Sequence, residues 1–232
     1  MNSHYLYLLI DCLTVLFPLA FSFHSKANFS KKWNYLWKAI AIPAAVFIVW
    51  DIVFTGMGVW GFNPAYVSGI YFYNLPFEEI LFFICIPYSC VFIYEAVKYF
   101  AGKDVLERYK SSISILLIIF LLTTGLLNVD RWYTGVAFIA CGLFIALLEW
   151  GWKLPFLGLF YFSFLFVLVP FFIVNGILTG SFLEEPVVWY NKNEMLDFRL
   201  GTIPIEDLFY GMLLLLMNVS IFEKLQMNRQ SQ

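Results

Sequence analysis

The chain has 232 residues, 62% of them apolar and 21% aromatic, with only 13% charged and a mean hydropathy of +0.80. A water-solvated domain carries roughly 25% charged residues, so a soluble globule is excluded. The net charge of -2 gives neither the basic excess of a nucleic-acid binder nor an acidic disordered tail.

At about 20 apolar residues per crossing, the chain reads as an all-α polytopic membrane protein. Apolar stretches at 4–23, 36–54, 77–97, 112–127, 133–150, 155–174 and 204–222 predict seven transmembrane helices, the fourth being the shortest. No Lys or Arg precedes Lys26, so the first stretch lacks the basic flank of a cleaved signal and is expected to stay as a span. Cys12, Cys85, Cys90 and Cys141 lie in apolar runs without metal or disulfide spacing and are expected to be buried small hydrophobes.

Loop charge sets the expected orientation. With the N-terminus outside, Lys26, Lys31, Lys32, Lys38, Lys98, Lys103, Arg108, Lys110, Lys153, Lys224 and Arg229 fall on the inner side, leaving only Arg131, Lys192 and Arg199 outside. That asymmetry predicts N-out, C-in.

The second span ends Asp51-Ile52-Val53-Phe54-Thr55-Gly56, and the sixth ends Asn175-Gly176-Ile177-Leu178-Thr179-Gly180. The third opens Leu75-Pro76-Phe77-Glu78-Glu79, and the seventh opens Ile203-Pro204-Ile205-Glu206-Asp207. Glu79 is followed after sixteen residues by Glu95, and Asp207 after sixteen by Glu223. An internal repeat follows: a first unit at 1–100, a linker with span four at 101–130, and a second unit at 131–232. A three-span unit plus one connecting span puts both units in the same orientation, related by an axis along the membrane normal, with both acidic motifs near the outer face.

Pro76 and Pro204 mark helix starts, with Asn74 and Thr202 as expected caps. Glu78, Glu79, Glu206 and Asp207 then fall in first turns, where the helix dipole favours a carboxylate by about 0.3–1 kcal/mol. Capping alone would explain a single acid. Four acids at one depth, joined by Asp51, Asn175 and Asp11, point instead to a shared polar pocket, because intramembrane acids usually face a functional interior. Close carboxyls in a dry site cannot all ionise, so the pocket would own both a proton donor and an acceptor. Neighbours on a helix point about 100° apart, so one acid of each pair is expected to serve chemistry and the other to support it. Tyr73, Phe77, Phe209 and Tyr210, with Tyr71 and Phe72, are candidate aromatic lining able to stabilise a carbocation.

Other chemistries find no carrier. Gly56-Met57-Gly58-Val59-Trp60-Gly61 matches a dinucleotide fingerprint in letters only, since it follows a span and not a strand. His4 and His24 read as interfacial spectators, and no metal motif is present in the sequence. A retinal protein would need a lysine inside the last span, and 204–222 has none. A proton-coupled transporter is the alternative reading, since parallel repeats and intramembrane acids suit it equally well.

The two motifs, Leu-Pro-Phe-Glu-Glu at 75–79 and Ile-Pro-Ile-Glu-Asp at 203–207, resemble the Pro-x-Glu-(Glu/Asp) motifs of the heterodimer-type, membrane-integral carotenoid cyclases, in which two small subunits jointly cyclise lycopene. Nearly the whole chain resembles a fused version of that lycopene cyclase family. The resemblance implies a redox-neutral β-cyclase of the isomerase class, needing neither flavin nor nicotinamide, with lycopene or a related acyclic carotenoid as substrate. Membrane lipid and other carotenoid enzymes would be its surroundings, in a prokaryotic cytoplasmic membrane. Glu78 or Glu79, and Glu206 or Asp207, would be the catalytic acids, with acid and base roles open. Asn175 departs from Asp51, which predicts one active pocket in preference to two equivalent ones.

Overall fold

The computed structural model describes residues 3–24, 28–152 and 154–230; Lys26 and Lys153 of the loop-charge tally lie outside them. Among the described residues seven helices follow one another: α1 Leu6–Phe21, α2 Trp33–Met57, α3 Phe77–Ala101, α4 Lys110–Leu127, α5 Trp132–Ala146, α6 Leu157–Leu178 and α7 Ile205–Gln230. A π turn at Leu147–Trp152 continues α5. The six from α2 onward, taken with their flanking turns, are long and apolar enough to cross a membrane, which makes the protein membrane-integral. Helix α1, at 16 residues, is shorter. Helix α4 is not the shortest as expected: its 18 residues begin at Lys110 and run through Ser111 and Ser112, since backbone hydrogen bonding carries a helix past the end of an apolar run.

Each acidic motif enters its helix through a miniature hairpin. Strands β2 (Tyr71–Phe72) and β3 (Leu75–Pro76) pair in register, as do β5 (Arg199–Leu200) and β6 (Ile203–Pro204). The first turn residue is left-handed in both, Tyr73 at φ 56° and Gly201 at φ 68°. Gly201 takes that conformation without a Cβ penalty, whereas Tyr73 takes it as a non-glycine residue. The expected caps act differently in consequence. Asn74 and Thr202 sit in the turns, so Asn74 Nδ2 donates to the Ile52 carbonyl at 2.9 Å and Thr202 Oγ1 to the Gly176 carbonyl at 3.2 Å. They tie each hairpin to the end of the preceding long helix. Pro76 itself stands at the N-cap of α3, extended at ψ 150°, without a side-chain capping bond.

A third ribbon joins the halves. Strand β1 (Trp60–Phe62) pairs antiparallel with β4 (Val188–Tyr190), with Gly61 opposite Trp189. A Cβ on Gly61 would run into the Trp189 ring, so the third glycine of the 56–61 run serves a close backbone approach and not a nucleotide.

Helix α1 packs on α3, α2 on both α3 and α7, α5 on α4 and α7, and α6 on α3. Phe47, Phe83 and Phe222 are fully buried in the middle. The cysteines divide by helix face: Cys90 and Cys141 are buried, Cys85 half-buried, and Cys12 exposed on the outer side of α1 instead of buried as expected.

Candidate active site

The first turns of α3 and α7 separate their paired acids. Glu79 and Asp207 turn into one cavity of about 450 Å³, and Asp51 from α2 reaches the same space. Glu78 and Glu206 turn away from it. Glu78 Oε1 accepts the Ser68 amide at 2.7 Å, while Glu206 Oε1 accepts the Leu196 amide at 2.8 Å and the Thr134 hydroxyl at 2.6 Å. Each thereby holds the loop before its own motif across ten residues. Their remaining oxygens are buried without a hydrogen bond.

Four phenols aim at the cavity acids. Tyr7 donates to Glu79 Oε2 at 2.6 Å, and Tyr210 to Asp51 Oδ1 at 2.6 Å. Asp207 receives two, from Tyr133 at 2.5 Å and from Tyr190 at 2.9 Å. Burial and the neighbouring Asp207 carboxylate push the Tyr190 phenol well above its usual range, so it stays a donor. The Glu79 and Asp51 carboxyls are close neighbours in the cavity. Two carboxyls so placed in a dry site resist ionising together. The site therefore combines a close carboxyl pair with a third carboxyl, Asp207, that accepts from two hydroxyl donors.

Aromatic rings close this polar end. Trp60 packs with its ring centre 4.9 Å from Tyr133 and 6.1 Å from Tyr210, and Tyr133 stacks on Tyr190 at 5.8 Å. Such faces attract a cation by about 0.5–2 kcal/mol each. Away from the acids the walls are apolar, supplied by Phe17, Phe82 and Ile86 on one side and by Phe164, Val167 and Phe171 of α6 on the other.

The predicted residues are placed as follows. Asp51, Asn175, Glu79, Asp207 and Tyr210 line the cavity. Phe209 does not; it packs against Phe138 at 4.9 Å, since it precedes Tyr210 by one residue and so points about 100° away from it. Tyr73 is 81% exposed at the hairpin tip, Tyr71 and Phe72 are exposed on its first strand, and Phe77 is exposed at the first position of α3. Asp11 is buried on α1, one turn beyond Tyr7, with both oxygens lacking a hydrogen bond, and it stands outside the cavity lining.

Sequence reading missed Tyr7, Tyr133, Tyr190 and Trp60. A signal existed for two of them: Tyr7 precedes Glu79 by 72 residues and Tyr133 precedes Asp207 by 74, so extending the repeat into spans one and five with a two-residue gap brings them into correspondence. Among the described residues no three His, Cys, Asp or Glu side chains are grouped to hold a metal ion.

A family model described as lycopene cyclase matches residues 4–97 and 130–225, more than half of the chain. The protein belongs to the lycopene cyclase family. The two matched blocks of this lycopene cyclase family member contain all the acids and phenols of the cavity, and they leave out 98–129, where α4 lies. No curated protein and no solved structure matches the chain.

Proposed function

We propose that this protein is a lycopene β-cyclase that forms a ring at the end of an acyclic carotenoid by proton-initiated, redox-neutral isomerisation. The observation that carries this reading is the meeting of Glu79 and Asp207, one from each motif, in a single aromatic-walled cavity with Asp51.

The Glu79–Asp51 pair supplies the proton. Glu79 delivers it to the terminal double bond of the acyclic end, leaving a tertiary cation beside the Trp60 and tyrosine faces. The neighbouring double bond attacks that cation, closing the six-membered ring and moving the charge onto a ring carbon. Asp207, held as an acceptor by Tyr133 and Tyr190, removes the adjacent proton, which gives the β double bond. One proton enters and one leaves, so the product is an isomer of the substrate. Before the next turnover Asp207 gives up the proton it has taken and the Glu79–Asp51 pair takes one back, both by exchange with solvent. No step calls on flavin or nicotinamide.

In this reading α1 is the seventh crossing, the chain runs N-out to C-in, and two units of equal orientation share the cavity. The pairing of β1 with β4 supports that arrangement. Gly61 and Trp189 face each other at its centre and are 128 residues apart, the same interval that separates Glu79 from Asp207. An axis along the membrane normal through that pair would exchange the two motifs. The natural setting is a prokaryotic cytoplasmic membrane, where the substrate dissolves and where other carotenoid enzymes deliver it.

The deciding experiment is expression in cells that accumulate lycopene, followed by separation of the pigments. Mono- or bicyclic β-carotenes are the expected products. Unchanged lycopene, with the protein present in the membrane, would sink the reading and leave proton-coupled transport as the rival.

A further inference from the structure

A second chamber of about 490 Å³ lies at the other end of α1 and α3, and it shares Phe17 and Phe92 with the acid cavity. One stripe of α3 lines both spaces: Glu79, Phe82, Ile86 and Ser89 face the first, Ile93 reaches the neck, and Ala96 and Phe100 face the second. The spacing alternates between three and four residues, the signature of a single helix face. From Glu79 to Phe100 is 21 residues, about 30 Å of helix at 1.5 Å per residue and comparable to the hydrocarbon thickness of a bilayer.

Polar groups mark both ends of this path. At one end stand the cavity acids. At the other, Lys32 is ion-paired with Glu95, which is nine-tenths buried, and the second oxygen of Glu95 has the Lys98 ammonium 4.0 Å away. In the opposite half Glu223, the counterpart of Glu95, accepts from the Tyr94 hydroxyl at 2.8 Å and from Lys98.

Resting on the proposed function, we infer that the second chamber receives the non-reacting end of the same substrate, which threads the Phe17–Phe92 neck and stops at the Lys32–Glu95 pair. The path then acts as a gauge that selects long polyenes of roughly bilayer length, and it admits one end of the substrate to the acids at a time. A bicyclic product requires the molecule to leave and re-enter reversed.

The test compares two substrates supplied to membranes containing the protein: lycopene, and a truncated polyene bearing the same acyclic end but short enough to stop before the neck. Ala96→Trp fills the second chamber, and Phe17→Trp narrows the neck. In both variants the ratio of lycopene conversion to truncated-polyene conversion is expected to fall about tenfold, as overpacking penalties imply. An unchanged ratio overturns the gauge, whether both conversions persist or both decline together through loss of folding. Failure of the cyclase reading is distinguishable, because the unaltered protein would then convert neither substrate.

Discussion

Asp51 and Glu79 come from different helices, α2 and α3, and bring their carboxyls into one cavity. Neither has a cation beside it to balance a second negative charge: Asp51 accepts from Tyr210 and Glu79 from Tyr7, both neutral hydroxyls. Close carboxyls in a dry site cannot both ionise, and the proton that one of them keeps is the one the proposed cyclisation would use.

Asp51→Asn should therefore lower conversion by about 100-fold or more, the scale of a lost proton donor, with the protein still present in the membrane. Asn175, at the corresponding end of α6, lines the same cavity, and its amide Nδ2 donates to its own helix at the Phe171 carbonyl at 3.3 Å. Asn175→Ala should cost far less. Pigment separation after expression of each variant measures the difference, and equal losses would remove the argument for unequal halves.

The adjacent acids of each motif should separate by phenotype. Glu79→Gln is expected to reduce turnover by about 100- to 10,000-fold while leaving thermal stability in detergent intact. Glu78→Gln and Glu206→Gln should act through stability, at about 1–3 kcal/mol each, because those carboxylates hold the Ser68 and Leu196 amides. A stable, inactive Glu78→Gln protein would contradict the assignment.

The two phenols on Asp207 can be removed one at a time. Tyr133→Phe and Tyr190→Phe each delete a hydrogen bond to a charged group worth about 1.5–3 kcal/mol, so a tenfold to hundredfold loss of rate is expected if that bond is made fully in the transition state. Turnover of each variant against the unaltered protein, at matched membrane content, is the measurement. Rates unchanged in both would dismiss Asp207 as the carboxylate base.

Deuterium reports on the chemistry itself. In heavy water the acid exchanges before it donates, so every ring formed should carry one deuterium at the carbon protonated first, and mass spectrometry of the pigment counts them. Rings formed without label would exclude protonation by a solvent-exchanged acid.

The ribbon between the halves gives a structural test. Gly61→Ala should destabilise the protein by about 1–3 kcal/mol through the clash with Trp189. The double variant with Trp189→Ala should recover part of that loss. A melting series of the four proteins decides it, and additive losses would show that the two residues do not meet.

The solvent and the ingredients of the site were legible in the sequence. Sparse charge and seven apolar runs require a bilayer, and two Pro-anchored acidic motifs with matched downstream acids are local patterns that survive without any tertiary knowledge. They led to Asp51, Asn175, Glu79, Asp207 and Tyr210, all of which line the cavity. Helix periodicity also implied that one acid of each pair must turn away, but it could not say which, because that depends on the rotation of α3 and α7 against their neighbours. Packing of the helices settled this, together with the choice of phenols: Tyr7 and Tyr133 lie more than seventy residues from the acids they hydrogen-bond. The same limit explains the misplaced aromatics. Tyr73 is adjacent to the first motif and Phe77 lies within it, yet the hairpin turn and the first turn of α3 leave both exposed, while Trp60 and Tyr190 arrive through the pairing of β1 with β4. Nearness along a chain fixes nothing about direction in space; that is set by how helices rotate and strands pair when the chain packs.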